Sequence, residues 1–429
     1  MKKNNNMIQK IIFFTIFIFY HAFSLTINVP EDFLDIQDAI DFSQDGDTIF
    51  VGPGVYFENI NFNGKSIMLS SNYIEDNDSL LIGVTIIDAG NEGSVVTFNS
   101  GENNNAILQG FTLQNGNGND EDPDNNGSFY TYGGGIYCEN SDPLIKDCII
   151  QSNTANEGGG AGIFCYDSSP IFFGCTIKEN ETDDVGGGLY ARDGSSPSFF
   201  DCIFMDNTAE FGGGCYLKSS SSPLMENVVF IQNNANNSGG GIGLKDDANI
   251  QASNLTISEN LAEGLGGGLY INNADPTFSF ALIVDNTASS GAGIYIRNNS
   301  EIDLTNITLA NNNAGLYGGG VYMRDNVTVN FTNSVLWNNG SNQIYFRSEG
   351  AEVELNVGYS IVENNQNGVE TNNNGDLNWL EGNLDSDPYF CSSSTGNYFV
   401  RENSPCIDGG LNGSLVGCLS AGCGPINLG

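Results

Sequence analysis

GGGIYCENSDPLIKDCIIQSNTANE from Gly133, GGGLYARDGSSPSFFDCIFMDNTAEF from Gly186 and GGGCYLKSSSSPLMENVVFIQNNANNS from Gly212 are one segment written three times. The residue after each glycine run falls at Ile136, Ile163, Leu189, Cys215, Ile242, Leu269, Ile294, Val321 and Ile344, in steps of 27, 26, 26, 27, 27, 25, 27 and 23. A period that short, without helical rhythm and punctuated by Gly, Asn and Asp at fixed phases, makes each unit one coil of a β-solenoid. Inside each coil the apolar residues come in short alternating sets: Ile136 and Cys138, then Leu144 or Ile145, then Cys148 and Ile150. They predict three brief strands, the chain turning by about 120° at each corner.

One corner is expected just before Cys148, at Asp147, Gly174, Asp201, Asn227, Asn254, Ala281, Asn306 and Asn333; seven of these eight tolerate a left-handed backbone. The glycine run is the next corner, where successive turns pack too closely for Cβ atoms. A stricter column is Asn153, Asn180, Asn207, Asn233, Asn260, Asn286, Asn312 and Asn339, at intervals of 27, 27, 26, 27, 26, 26 and 27. Stacked at about 4.8 Å, these amides can hydrogen-bond along the column and satisfy a buried corner, a structural role.

Composition agrees with a solenoid. Of 429 residues, 55 are Gly and 60 Asn, a load of turn formers that a mainly helical fold does not tolerate. Hydrophobic content of 39%, with 27 Phe and 17 Tyr, is too rich for a disordered acidic chain. Lys and Arg number 13 against 52 Asp and Glu, a net charge of −39 that repels phosphate backbones, so nucleic acid is not an expected partner. Residues 1–24 read as a secretory signal peptide: Lys2, Lys3 and Lys10, an apolar stretch from Ile11 to Tyr20, and Ala22-Phe23-Ser24 as cleavage site. That apolar stretch is too short to span a membrane, no later run approaches a span, and the mature chain is expected outside the cytoplasm, secreted or at the cell surface. His21, the single histidine, lies in this leader, so the mature chain has no imidazole for catalysis or zinc.

The paired GGGI and [IF]xxN motifs resemble the chlamydial polymorphic outer-membrane protein repeats, and the array resembles the right-handed parallel β-helix of the pectin lyase-like superfamily, over about residues 27 to 365. Upstream, DIQDAIDFSQDGDTIFVGPGVYFENINFNGKSIMLSS from Asp35 is similar to that superfamily's opening, in which an amphipathic helix caps the first coil; Ile36, Ala39 and Ile40 supply its apolar face. Its PGVYFENI part, from Pro53, reads as packing without catalysis. SDPYF from Ser386 and GNYFVRENSPCIDGG from Gly396 look like the closing segment of secreted β-helix proteins with assorted C-terminal anchors, although no anchor or autotransporter barrel is expected here. The expected fold is all-β: a single-stranded right-handed parallel β-helix of about twelve coils, roughly 55 to 60 Å long. An N-terminal part to residue 132 precedes regular repeats over 133–365 and a C-terminal cap segment over 366–429.

Candidate function sits on the first strand. Between its inward pair comes an outward aromatic at Tyr137, Phe164, Tyr190, Tyr216, Tyr270, Tyr295, Tyr322 and Tyr345, broken by Gly243. Two residues on come Arg192, Lys218, Lys245, Arg297, Arg324 and Arg347, six of the mature chain's ten basic residues. An aromatic stripe beside a basic stripe suits an acidic polysaccharide, rings meeting sugar faces and cations meeting carboxylates or sulfates. The resemblance implies the same, since this face carries the substrate groove in pectin lyase-like enzymes. The plainer reading is that the tyrosines cover strand edges while the cations pair with acids one position on, at Asp167, Asp193, Asp246 and Asp325.

Catalysis is less well supported. The clustered Asp with His and the Arg-x-Lys element of this fold's glycoside hydrolases are missing, and only Arg192-Asp193 or Arg324-Asp325 could begin a calcium-dependent lyase site. Binding along a polymer profits from repetition, whereas catalysis demands one coil that departs from the pattern, and no coil stands out. The expectation is therefore a noncatalytic, adhesin-like protein binding glycans or a protein partner, with an acidic-polysaccharide lyase and a structural spacer as alternatives. No cofactor is required. Calcium is suggested by NGNGNDEDPDNNGS from Asn115, where Asp120, Asp122 and Asp124 alternate; the sixth-position Gly and closing Glu of a calcium loop are missing, so a flexible acidic surface loop is expected. Cys138 and Cys165, and Cys148, Cys175 and Cys202, share inward phases and are expected as free thiols; Cys391, Cys406, Cys418 and Cys423 are expected to form two disulfides in the tail.

Overall fold

The computed structural model describes residues 24–76, 79–123, 127–417, 419 and 422–423. The leader lies outside the described residues, as do Asp124 and Cys418. From Thr26 to Trp379 the chain winds as a parallel β-solenoid with three long sheets. The first, of twelve strands, contains Ile136–Glu139 and its equivalents; the second, of fourteen, contains Leu144–Lys146; the third, of twelve, contains Ile149–Gln151. Ile136 pairs with Ile163, Leu189 with Cys215 and Val321 with Ile344, the register set by the glycine runs. Inward residues such as Ile136, Cys138, Ile145 and Ile150 are buried in one core that runs the length of the coil stack. Like stacks on like there: Phe172 on Phe199 at 4.7 Å and Phe204 on Phe230 at 4.6 Å, each side chain contributing roughly 2 kcal/mol of burial.

Three strands per coil proves one too few. A fourth, seven-stranded sheet follows the asparagine column, built from short segments such as Thr154–Ala155, Thr208–Phe211 and Asn313–Tyr317. Its inward column is Ala155, Thr182, Ala209, Ala235, Ala262, Ala288 and Ala314, all buried. Side chains this small let the sheet lie close to the glycine corner. A further left-handed corner precedes each ladder asparagine: Ser152, Glu179, Asp206, Gln232, Glu259, Asp285, Asn311 and Asn338 have φ between 54° and 58°. The corner before Cys148 is left-handed as expected, but in the coil assigned to Ala281 the position belongs to Phe280, at φ 54°; a phenylalanine there is strained. In the glycine runs, Gly186 has φ +67°, and a Cβ on Gly188 would stand 2.4 Å from the Gly214 carbonyl oxygen.

The eight column asparagines are buried, at most 6% exposed. In the series each Nδ2 donates to the next coil's Oδ1, at 3.0 Å from Asn153 to Asn180 and 2.9 Å from Asn312 to Asn339. The second amide hydrogen goes to a backbone carbonyl of the preceding coil, and each Oδ1 also accepts a backbone N–H, as Asn180 does from Asn153 at 3.1 Å. The series ends where Asn339 donates to Gln343 and Gln343 to Glu363, both at 2.7 Å.

The helix Ile36–Phe42 closes the first coils with Ile36, Ala39 and Ile40 buried. Glu58 accepts the Ile36 and Gln37 N–H groups at 2.8 Å, and Lys65 Nζ donates to the carbonyls of Ile40, Asp41 and Ser43 at the other end. Each charge opposes the helix dipole at its terminus. The tail folds back along the third sheet, where Val400, Cys406 and Val416 cover Val335 and Ile361, and Tyr398 covers Val284 and Ala310. Among the described residues it holds one disulfide, Cys391–Cys423, where two were expected: Cys406 is a buried free thiol. Cys138, Cys148, Cys165, Cys175, Cys202 and Cys215 are free and buried as well, and burial pushes the Cys148 thiol up to about 12, which makes it unreactive.

Candidate functional site

The outward aromatics of the first sheet do not offer open ring faces. Tyr190, Tyr216, Tyr270, Tyr295 and Tyr322 are between 2% and 9% exposed, because each ring lies against the next and against residues just before the glycine runs, such as Val185, Phe211 and Leu265. Gly243 divides the column in two. Before it the rings are tilted, with Phe164–Tyr190 at 5.5 Å and Tyr190–Tyr216 at 6.0 Å. After it they are parallel: Tyr270–Tyr295 at 5.8 Å, Tyr295–Tyr322 at 4.8 Å and Tyr322–Tyr345 at 5.4 Å, with Tyr317 on Tyr345 at 4.6 Å. Sugar stacking on exposed rings, expected from the sequence, therefore has no surface along most of the column. Burial pushes the Tyr322 hydroxyl up to about 12 and raises that of Tyr190.

The cations divide the same way. In the later coils Arg297 lies near enough to Tyr270, and Arg324 to Tyr295, to act on them electrostatically, while Arg324 pairs with Asp325 and Arg347 reaches Asp325 at 3.6 Å. In the earlier coils Arg192 pairs with Asp193 and Lys245 with Asp246 at 3.9 Å, while Asp167 follows Tyr166 and has no cation beside it in sequence. Arg192, Lys218 and Lys245 nonetheless line open space. A cleft of about 560 Å³ is walled by Tyr130, Tyr132, Glu157, Asp183, Asp184, Tyr190, Arg192 and Lys218. A second, of about 290 Å³, shares Asp184, Tyr190 and Lys218 and runs on past Tyr216 and Lys245 to Tyr270 and Asn272, across the gap left by Gly243. At about 4.8 Å per coil, this continuous groove is roughly 20 Å long.

Two parts of the groove escaped the sequence reading. The flanks of the acidic insertion, expected as loop, are paired strands: Asn119–Glu121 runs antiparallel to Tyr130–Tyr132, which pairs in turn with Glu157–Gly159. They close one end, Tyr132 lying 4.5 Å from Phe164 and the Tyr166 hydroxyl donating to the Pro123 carbonyl. Asp120 stands in the first of these strands and Asp122 accepts the Gly127 N–H at 2.7 Å; among the described residues no group of three or more His, Cys, Asp or Glu is placed to hold a metal ion. The other part is Asp183-Asp184, so one coil does depart from the pattern. Burial raises the Asp184 carboxyl pKa, Asp183 adds to the rise, and Lys218 opposes it. The signal was present as ETDDV from Glu181, where most coils carry fewer acids.

Three comparisons relate the chain to known proteins. A segment of 131 residues is 34% identical to a cell surface glycoprotein of Methanothermus fervidus, covering 30% of this chain and 16% of that protein. The crystal structure of pectate lyase Pel9A aligns over 90% of this chain and 91% of its own, with a TM-score of 0.47 and 13% identity. The family described as right handed beta helix region matches residues 124–254 and 240–404, more than half of the sequence. On that match and the parallel sheets above, the chain belongs to the right-handed β-helix family.

Proposed function

We propose that this is a noncatalytic surface or secreted β-helix protein that binds an acidic polysaccharide in the groove of its earlier coils. The observation that carries the reading is the placement of Arg192, Lys218 and Lys245, from three successive coils, on one continuous groove. Cations spaced by the coil rise suit a ligand that repeats its charge. The partial likeness to a cell surface glycoprotein supports a location outside the cytoplasm.

A lyase is the second reading, favoured by Asp184, a half-buried carboxyl of raised pKa that shares the groove with Lys218. The test is a binding array of the purified chain against neutral, carboxylated and sulfated polysaccharides, with calcium and with chelator, while unsaturated-uronate absorbance is followed. Salt-sensitive binding without product supports the proposal. Product formation replaces it with the lyase, and no binding leaves a structural spacer.

A further inference from the structure

At the N-terminal end of the solenoid the three long sheets finish in Thr26–Val29, Gly54–Phe57 and Ile60–Asn61, each with one edge beyond the last strand pairing. Two of these edges are closed by side chains that imitate a strand. Asp32 accepts the Asn28 N–H at 2.8 Å while its own N–H donates to the Asn28 carbonyl at 2.8 Å. Gln37 accepts the Asn61 N–H at 2.8 Å and donates to the Asn61 carbonyl at 3.2 Å. Gly54–Phe57 has no such closure: it pairs with Thr85–Asp88 on one side, and among the described residues neither a strand nor a side chain bonds its other edge. Val55 is 50% and Phe57 76% exposed. An open edge with apolar side chains is what a sheet protein ordinarily blunts, as this one does at the other two.

We propose that Gly54–Phe57 is a docking edge that takes up an extended strand of a partner protein by β-augmentation, and that this strand has alternating apolar residues with basic residues at its ends. Backbone hydrogen bonds would supply the pairing, and Val55 and Phe57 the contact for alternate side chains. Charge selects the partner. Glu31 and Glu58 lie near enough to Tyr56 to act on it electrostatically, and Asp35 and Asp38 near enough to Glu58. A second copy of this chain, with net charge −39, would bring the same acids to the same edge.

The test uses the full chain and a fluorescent peptide, KKTVTVTKK, with copies N-methylated at alternate amides in each of the two registers. Anisotropy should show saturable binding that weakens by about tenfold or more for one N-methylated register, and by a similar factor for the chain carrying Val55→Lys and Phe57→Lys. Both side chains point to solvent, so that variant should keep the wild-type circular dichroism. Amide exchange at Gly54–Phe57 should slow on binding. No binding, or binding that neither N-methylation nor the substitutions alter, overturns the proposal. A concentration-dependent dimer abolished by the two substitutions would overturn the stated occupant in favour of a second copy. Slow exchange at Gly54–Phe57 in the peptide-free chain, lost when residues 1–23 are removed, would overturn it in favour of the chain's own leader.

Discussion

Replacing Asn233 by Ala is the sharpest test of what holds successive coils together. Asn233 Oδ1 accepts from the Asn207 backbone N–H at 3.1 Å and from Asn207 Nδ2 at 2.9 Å, while its Nδ2 donates to the Phe204 carbonyl at 2.9 Å and to Asn260 Oδ1 at 3.0 Å. Truncation removes all four bonds. Asn260 Oδ1 keeps the Asn233 N–H at 2.9 Å, so three buried groups lose a partner: two donors of Asn207 and the Phe204 carbonyl. At about 1 to 3 kcal/mol for each, the cost is about 3 to 9 kcal/mol, and water entering the vacated corner brings it toward the lower end. Each coil contacts only its neighbours, so the loss should be local as well as global. Urea unfolding followed by circular dichroism gives the magnitude, and amide exchange gives the place, with loosening centred on the coils of Asn207, Asn233 and Asn260. Asn233→Asp should be worse than Ala at neutral pH, because a carboxylate would face the Phe204 carbonyl and Asn260 Oδ1, and it should recover in acid. A loss below about 1 kcal/mol for Asn233→Ala would refute the reasoning.

Three further outcomes are expected. Phe280→Asn should stabilise the chain by about 1 kcal/mol, read as a raised urea midpoint, since Asn accepts the left-handed backbone that Phe280 holds at φ 54°. Asp184→Asn should raise thermal stability at neutral pH; because the folded pKa is raised, Asp184 favours the fold below its unfolded value near about 3.9 and loses that contribution as pH climbs through the folded pKa, so the variant's advantage should vanish in acid. Reducing Cys391–Cys423, which are 32 residues apart, should loosen the tail by about 3 to 4 kcal/mol and expose Val284, Ala310, Val335 and Ile361 to an apolar dye, while amide protection around the asparagine series persists.

The solenoid was legible in the sequence because its determinants recur: a residue that must be Asn in every coil leaves a column, and so does a glycine whose Cβ would strike the next coil. What did not repeat was harder to see. The fourth sheet rests on strands as short as Thr154–Ala155, whose apolar signal is a single alanine two residues after the ladder asparagine. The strands Asn119–Glu121 and Tyr130–Tyr132 belong to an insertion without a periodic counterpart, so its composition suggested a loop although the second of them pairs with Glu157–Gly159. On the first-strand face the period correctly gave which side chains point outward but not what covers them. Val185, Phe211 and Leu265, which lie against the tyrosines, occupy a column that elsewhere holds Ser238 and Ser290. The groove appears only once those residues, the gap at Gly243 and the strands of the insertion are assembled together.

The most direct test of the functional account is the affinity for a polyuronate of the unmodified chain beside two variants, one with Lys218 and Lys245 changed to Gln and one with Arg347 changed to Gln. Lys218 and Lys245 line the groove, whereas Arg347 lies beyond it and pairs with Asp325. The account predicts that the first variant binds at least about tenfold more weakly at low salt while the second binds like the parent. Equal binding by all three chains would contradict it.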